Sequence, residues 1–343
     1  MSSIRDARGL WHQALAWHRA GHRVAWLTLT HVKGSAYRRP GAKMIMADNG
    51  HMQGTLSGGC LEGDLFIHAE KVLASEEPSL HHYDLTEDEM WGLGIGCKGQ
   101  IDVWIEPINC ESPFWEGFGT ALEKDQPLVW GAELPGGARF FARRDQIVTR
   151  DGTGGPPFDV AAVLNGSQGN TGSHEGWWWD VMRPPDRLII AGAGHDAEPV
   201  ARLAYQAGFD VVVLDPRDHV NNARHFPEAE HWVRSAGEVD PEALSEGFWV
   251  IMDHHQRRDE EALALAAKSA PRFVGVLGPR TRADEMLAKT GIDPTAIPLH
   301  SPVGLDIGGE TPAEVAVSIV AELMAARNGG SGGPLHGKER IHR

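Results

Sequence analysis

A chain of 343 residues, 41% apolar and 23% charged, is long enough for two hydrophobic cores and has the composition of an ordinary globular protein. Its 47 acidic residues against 32 Lys and Arg give a formal charge of −15. That balance argues against a nucleic-acid partner, whose binding requires basic groups to neutralise phosphates.

The opening MSSIRDARGL lacks the apolar centre of a signal peptide, and no apolar run is long enough to span a bilayer. The three cysteines form neither a disulfide framework nor a zinc-spaced cluster. A cytoplasmic protein with reduced thiols, no membrane and no nucleic acid is therefore expected. In chain order, LWHQALAWHRAG carries apolar groups at helical spacing and ends in Gly21. VAWLTLT (24–30) and AKMIMAD (42–48) read as strands, joined by a loop, HVKGSAYRRPG, that carries basic residues. GTLSGGCLEGDLFIHAEKVLAS (54–75) passes from a glycine turn into a helix. A second glycine-rich turn, WGLGIGCKGQ, feeds the strand IDVWIEPI (101–108).

Farther on, PLVWGAELPG and ARFFARRDQIVTRDG suggest short antiparallel strands, while NGSQGNTGSHEG reads as turns. Trp177, Trp178 and Trp179 cannot share one strand face, and are expected to form an interdomain or subunit packing surface. After MRPPD, short apolar strands alternate with helices, which implies a mostly parallel sheet. The fold class expected is α/β, with a small mixed N-terminal domain and a C-terminal Rossmann-like domain. The boundaries read 1–110, a β-rich connecting segment 111–183, the Rossmann-like part 184–327, and a polar tail 328–343.

Three constellations can carry chemistry. In RLIIAGAGHD, Gly192 and Gly194 turn a strand into a helix, where backbone amides meet phosphate; Asp215 ends the next strand, where an acid holds ribose hydroxyls. His195 stands in the same turn. In Ser57-Gly58-Gly59-Cys60-Leu61-Glu62, a thiol sits at a helix start, where the positive helix end favours thiolate and the local amides suit an anion. Glu62 is a candidate helix cap, and Cys97 with Lys98 repeats the setting. Cys110 has no such context and reads as structural. Third, Asp253-His254-His255 follows an apolar strand, and Gly278 with Arg280 follows another; His195, His254 and His255 are the proton-transfer candidates, and Gly278 and Arg280 suit a phosphate. Thr311 and Glu314 fit a helix capping box with Pro312 at the first helical position.

The segments SGGCLEGDL, GLGIGCKGQIDVWIEP, RLIIAGAGHDAEPVARLAYQAGFDVVVLDPR, RFVGVLGPR and HSPVGLDIGGETPAEVAVSIVAEL together resemble the XdhC/CoxI family of accessory proteins for molybdenum hydroxylases. The resemblance implies an accessory protein of the chaperone kind, and leaves open whether it has a catalytic activity of its own. Such a protein binds molybdenum cofactor (molybdopterin), shelters it during sulfuration by a cysteine desulfurase, and delivers it to an apo-hydroxylase, often as a homodimer. It implies Cys60 and Cys97 as contacts near the cofactor molybdenum, with Gly192, Gly194, His195 and Asp215 on the family's GAGH turn and following acid. Two other readings stay open on the residues alone: an NAD(P)-dependent oxidoreductase using the glycine turn, and a noncatalytic assembly scaffold.

Overall fold

The computed structural model describes residues 3–85, 99–143, 146–152 and 155–337, and the chain divides into two compact units, Met1–Pro184 and Pro185–Arg343. In the first unit, α1 (Ile4–Arg19) precedes β1 (Val24–Gly34), β2 (Lys43–Ala47), β3 (Met52–Gly54), α2 (Glu62–Ser75), β4 (Ser79–Asp84) and β5 (Gly99–Ile108). These strands make an antiparallel sheet of order β3-β2-β1-β5-β4. Then come α3 (Pro113–Leu122), β6 (Leu128–Glu133), β7 (Arg139–Arg143), β8 (Gln146–Asp151), α4 (Val160–Leu164), β9 (Thr171–His174) and β10 (Trp177–Met182). They build a second sheet of order β8-β7-β6-β10-β9.

The side-chain alternation of β1 explains its unbroken apolar run. Ala25, Leu27 and Leu29 pack with α2, while Val24 and Trp26 face the opposite way into a core shared with α1, α3 and the second sheet. That shared core takes Trp104 and Ile108 from the first sheet, and Trp130, Phe141 and Trp178 from the second. Lys43 on β2 reaches across to Asp180 on β10, both buried, and Lys43 Nζ also donates to the Gly41 carbonyl at 2.9 Å. β1 runs four residues past its sequence reading because it stays paired with β5 out to Gly34, through an irregularity at Leu29 and His31.

The tryptophan triplet corrects its expectation. Trp177, Trp178 and Trp179 are at most 7% exposed, so they are buried inside the first unit and do not form an exposed surface for a partner chain. β10 lies inside its sheet between β6 and β9, and both faces are covered: Trp178 enters the core shared by the two sheets, and Trp177 and Trp179 pack with Phe140, Phe158 and α4. The stretch read as turns also contains a strand, β9, paired antiparallel to β10.

The second unit contains β11 (Arg187–Ala191), α5 (Ala197–Gln206), β12 (Asp210–Leu214), β13 (Glu230–Trp232), β14 (Phe248–Ile251), α6 (Gln256–Lys268), β15 (Phe273–Val276), α7 (Arg280–Thr290), β16 (Leu299–His300) and α8 (Pro312–Asn328). All strand pairs are parallel, in the order β13-β12-β11-β14-β15-β16. This doubly wound order reverses direction between β11 and β14, and ligands of such sheets bind beyond the strand ends at that point. α5 and α8 cover one face, α6 and α7 the other. The capping box forms at α8: Thr311 Oγ1 accepts from the Glu314 amide, and Glu314 returns the contact to the Thr311 amide at 2.9 Å. No helix among the described residues is long and apolar enough to cross a membrane.

Candidate functional site

Two places gather the residues singled out by sequence, one in each unit. In the first unit, Cys60 is exposed just ahead of α2, at the rim of a cleft lined by Tyr37, Leu56, Ser57, Leu61, Leu85 and Ile101. Arg38 and Arg39, next to Tyr37, are exposed. The loop before Cys60 is organised by Glu62. Its carboxylate accepts from the backbone amides of Leu56, Ser57, Gly59 and Leu61 at 2.9–3.2 Å, from Thr55 Oγ1 at 2.7 Å, and from the Ser57 hydroxyl. The Gly58 amide donates to Thr55 Oγ1 at 2.9 Å.

The amides expected to receive an external anion are therefore already taken by a carboxylate of the chain itself. Glu62 acts as the loop's internal anion and not as a cap of α2. Cys97 and Lys98 lie outside the described residues. Cys110 is buried in the shared core of the first unit, and burial pushes its thiol up to about 11, in keeping with a structural role.

Glu62 also makes this loop acid-sensitive. Burial opposes its ionisation, but the donors from Ser57 and Thr55 win and hold it at about 2, against an ordinary 4.5. A carboxyl depressed on folding contributes its stability in full above the unfolded value, and loses it as pH falls toward the folded value. The contribution is of order 3 kcal/mol. Glu62→Gln is expected to lose about that much at neutral pH. The gap to wild type should narrow by more than half as urea midpoints are followed from about pH 6 down to about pH 3, and should close only near the folded value of about 2. A gap that stays constant over that range would remove Glu62 as its cause.

In the second unit, the turn after β11 and the ends of β12 and β14 form the switch-point crevice. Asp215, 1% exposed, is fully engaged: Oδ2 accepts from the Ala193 amide at 2.8 Å and Arg217 Nη2 at 2.5 Å, and Oδ1 accepts from the Arg217 amide and Nε at 2.9 Å. A ribose diol would have to displace Arg217. Burial works against ionising Asp215, yet the Arg217 and Ala193 donors hold its carboxyl below the usual range. Asp253 goes the other way, raised by burial and by the nearby Asp215 charge. Arg217 at 3.5 Å and Arg258 at 3.3 Å flank Asp253, and Arg217 bridges it to Asp215.

The histidines divide. His254, in the left-handed region at φ 66°, bonds Asp196 at 2.7 Å, while His255 is an exposed residue before α6. His195 instead meets Glu198 at 3.2 Å, and His225 meets the same Glu198 oxygen at 2.9 Å. Burial again opposes ionisation of Glu198, but bonds from His225 and His195 keep its carboxyl below the usual range. Gly278 precedes the Pro279 cap of α7, and Arg280 begins the helix and pairs with Asp284 at 2.9 Å; Arg282, in the same turn, is tied to buried Asp259. Sequence reasoning passed over Glu198, Arg217 and His225. Only Arg217, two residues after Asp215, carried a local signal.

Comparison with known proteins agrees with this two-unit layout. The model of the XdhC Rossmann domain matches residues 188–323, and that of the XdhC and CoxI family matches residues 17–84. Over 88% of its length the chain is 31% identical to a probable xanthine dehydrogenase subunit from Bacillus subtilis strain 168, of which it covers 92%. It is 22% identical, over 90% of its length and 85% of the relative's, to the molybdenum cofactor insertion chaperone PaoD of Escherichia coli K12. A crystal structure described as a xanthine dehydrogenase from Bacillus halodurans superposes with a TM-score of 0.78 at 29% identity, covering 98% of this chain and 99% of that one. Matched along nearly the whole of a 31% identical relative and by family models in both units, the chain belongs to the XdhC and CoxI family.

Proposed function

We propose that this protein carries molybdenum cofactor for a xanthine-dehydrogenase-type hydroxylase, holding it through the Cys60 loop while it is sulfurated and then inserted. The observation that carries the reading is the exposed thiol on a loop held rigid by Glu62, in a chain related to a molybdenum cofactor insertion chaperone.

The residues present fit such a group. Thiolate sulfur is a soft ligand suited to a metal centre that already bears sulfur. Tyr37 offers a ring beside the cleft, and Arg38 and Arg39 offer charge to an anionic pterin phosphate. The bound cofactor would supply the molybdenum centre itself, and the chain would supply binding, orientation and shelter. Because the loop amides are spent on Glu62, phosphate recognition falls to those guanidiniums and not to the backbone. In this reading the partners are a cysteine desulfurase and the apo-hydroxylase, in the cytoplasm, with the chaperone as a homodimer and no turnover of its own. Cys97 belongs to the same proposal through the family pattern, and Lys98 through its charge beside that thiol.

Anaerobic purification from cells that make the cofactor tests it, with molybdenum and released pterin quantified in the same fractions. Wild type is expected to co-elute with both near one equivalent, and Cys60→Ser to fall to the background of an unrelated protein while keeping its melting temperature. Full loading of Cys60→Ser would take the thiol out of the site. An empty wild type under conditions that load another carrier would end the reading.

A further inference from the structure

The crevice of the second unit has the wrong charge for the phosphate its fold would ordinarily take. A helix N-terminus following a glycine turn attracts anions. Here Asp196 and Glu198 stand at the start of α5, and Asp215 takes the Ala193 amide. The Asp196 carboxylate crowds Gly194 so closely that an added Cβ there would come within 2.5 Å of its oxygen. Carboxylates already fill the positive end of the helix, and two imidazoles converge on one of them.

We propose that His195, Glu198 and His225 form a binding site for a divalent transition metal of the zinc class, with at least one coordination position open to solvent. The ligand atoms are already close to coordination spacing. Both imidazole Nδ1 atoms lie 2.9–3.2 Å from the same Glu198 oxygen, and one ligand atom from each of the three residues falls within 4.8 Å of the others. Tetrahedral zinc with ligands near 2.1 Å sets neighbouring donors about 3.4 Å apart, so an ion would enter with small side-chain adjustments. Among the described residues, this is the one group of His, Cys, Asp and Glu with such convergence.

Each ligand is held by a different fixed element. His195 sits on the turn after β11, and Glu198 is in the first turn of α5. His225 precedes Phe226, which is buried in the core under α5 and α8. The loop bearing His225 is further pinned by Asn221, whose Nδ2 donates to the Val213, Asp215 and Trp232 carbonyls at 3.0–3.2 Å. The His195 side chain is 89% exposed, so the outer side of the site meets solvent. Three protein donors with an open fourth position is the arrangement of zinc sites that bind water or a ligand atom, whereas purely structural sites are closed. A hydrogen-bonded cluster without metal would need both imidazoles to donate Nδ1–H to one oxygen, and it would leave no saturable metal binding.

The test uses the tag-free full chain, stripped with a chelator and titrated with Zn²⁺ against a chromogenic competitor. One saturable equivalent is expected, weakened at least ~10-fold in His195→Ala, Glu198→Gln and His225→Ala, and unchanged in Cys60→Ser. The Co²⁺ form should show the visible bands of nitrogen and oxygen ligation without a thiolate charge-transfer band. His195→Ala alters an exposed side chain and decides the matter alone should either other variant fold poorly. Absence of saturable binding by wild type, or equal binding in wild type and His195→Ala, overturns the proposal. Because Cys60→Ser is predicted to keep the metal, failure here and failure of the cofactor reading are read separately.

Discussion

Replacing Lys43 with Met is expected to cost the first unit about 3–5 kcal/mol. Asp180 is 0% exposed and its carboxylate faces Lys43 between the two sheets. Without the ammonium, a charge remains in a region that water cannot reach, and Asp180 must bind a proton or drag the sheets apart. The pair itself is not a large net source of stability, because desolvating both charges offsets most of their attraction. Lys43→Met combined with Asp180→Val should therefore recover most of the loss. Tryptophan fluorescence during urea unfolding is the right probe, since all of the 12 tryptophans except Trp232 and Trp249 belong to this unit. An unchanged midpoint in Lys43→Met would show that Asp180 finds other partners at no cost.

Gly192→Ala is the corresponding lesion in the second unit, expected to cost about 2–5 kcal/mol. At φ 118° the backbone is in a region other residues avoid, and an added Cβ would lie 2.5 Å from the Asp253 backbone nitrogen and Cα. No rotamer relieves a contact between a Cβ and a main chain. The turn after β11 and the end of β14 would have to separate, which would also break the Met252 amide bond to the Ala191 carbonyl, 2.8 Å. Gly194→Ala is the control: its Cβ meets only the Asp196 side chain, which can rotate away, and the cost should stay under ~1 kcal/mol. Far-UV circular dichroism against temperature compares the two. Equal melting for both variants would remove the argument from close backbone approach.

The legible parts of the chain were those where one periodicity ran unbroken between turns. β11, its glycine turn, α5 and β12 stand out because a buried parallel strand is a short apolar run and the following helix has a single apolar face. The first unit was harder. α3 carries Gly117 and Gly119 within ten residues, and glycine argues against a helix; yet Gly119 is needed because the Trp11 indole lies 2.1 Å from where its Cβ would be. β9 hides in a Gly, Ser and Asn-rich stretch because it is an edge strand whose pairing, not its composition, makes it a strand. The tryptophan triplet misled because position in a sheet is invisible to local pattern: a strand covered on both faces can bury consecutive indoles. The site was legible in its backbone and illegible in its partners. Cys60, Gly192 and His195 could be named, but His225 joins Glu198 only through the tertiary placement of a loop 27 residues away.

The strand order of the first sheet has a consequence for synthesis on the ribosome. β1 is its central strand, and one of its two neighbours, β5, pairs Ile108 with Val24. At cellular rates of elongation, the intervening chain takes roughly 5–15 s to emerge. During that interval β1 and β2 can close as a hairpin, but the far edge of VAWLTLT stays open, apolar and without charge to deter a neighbouring nascent chain. Yield of folded protein should accordingly depend on expression rate more steeply than its final stability would suggest.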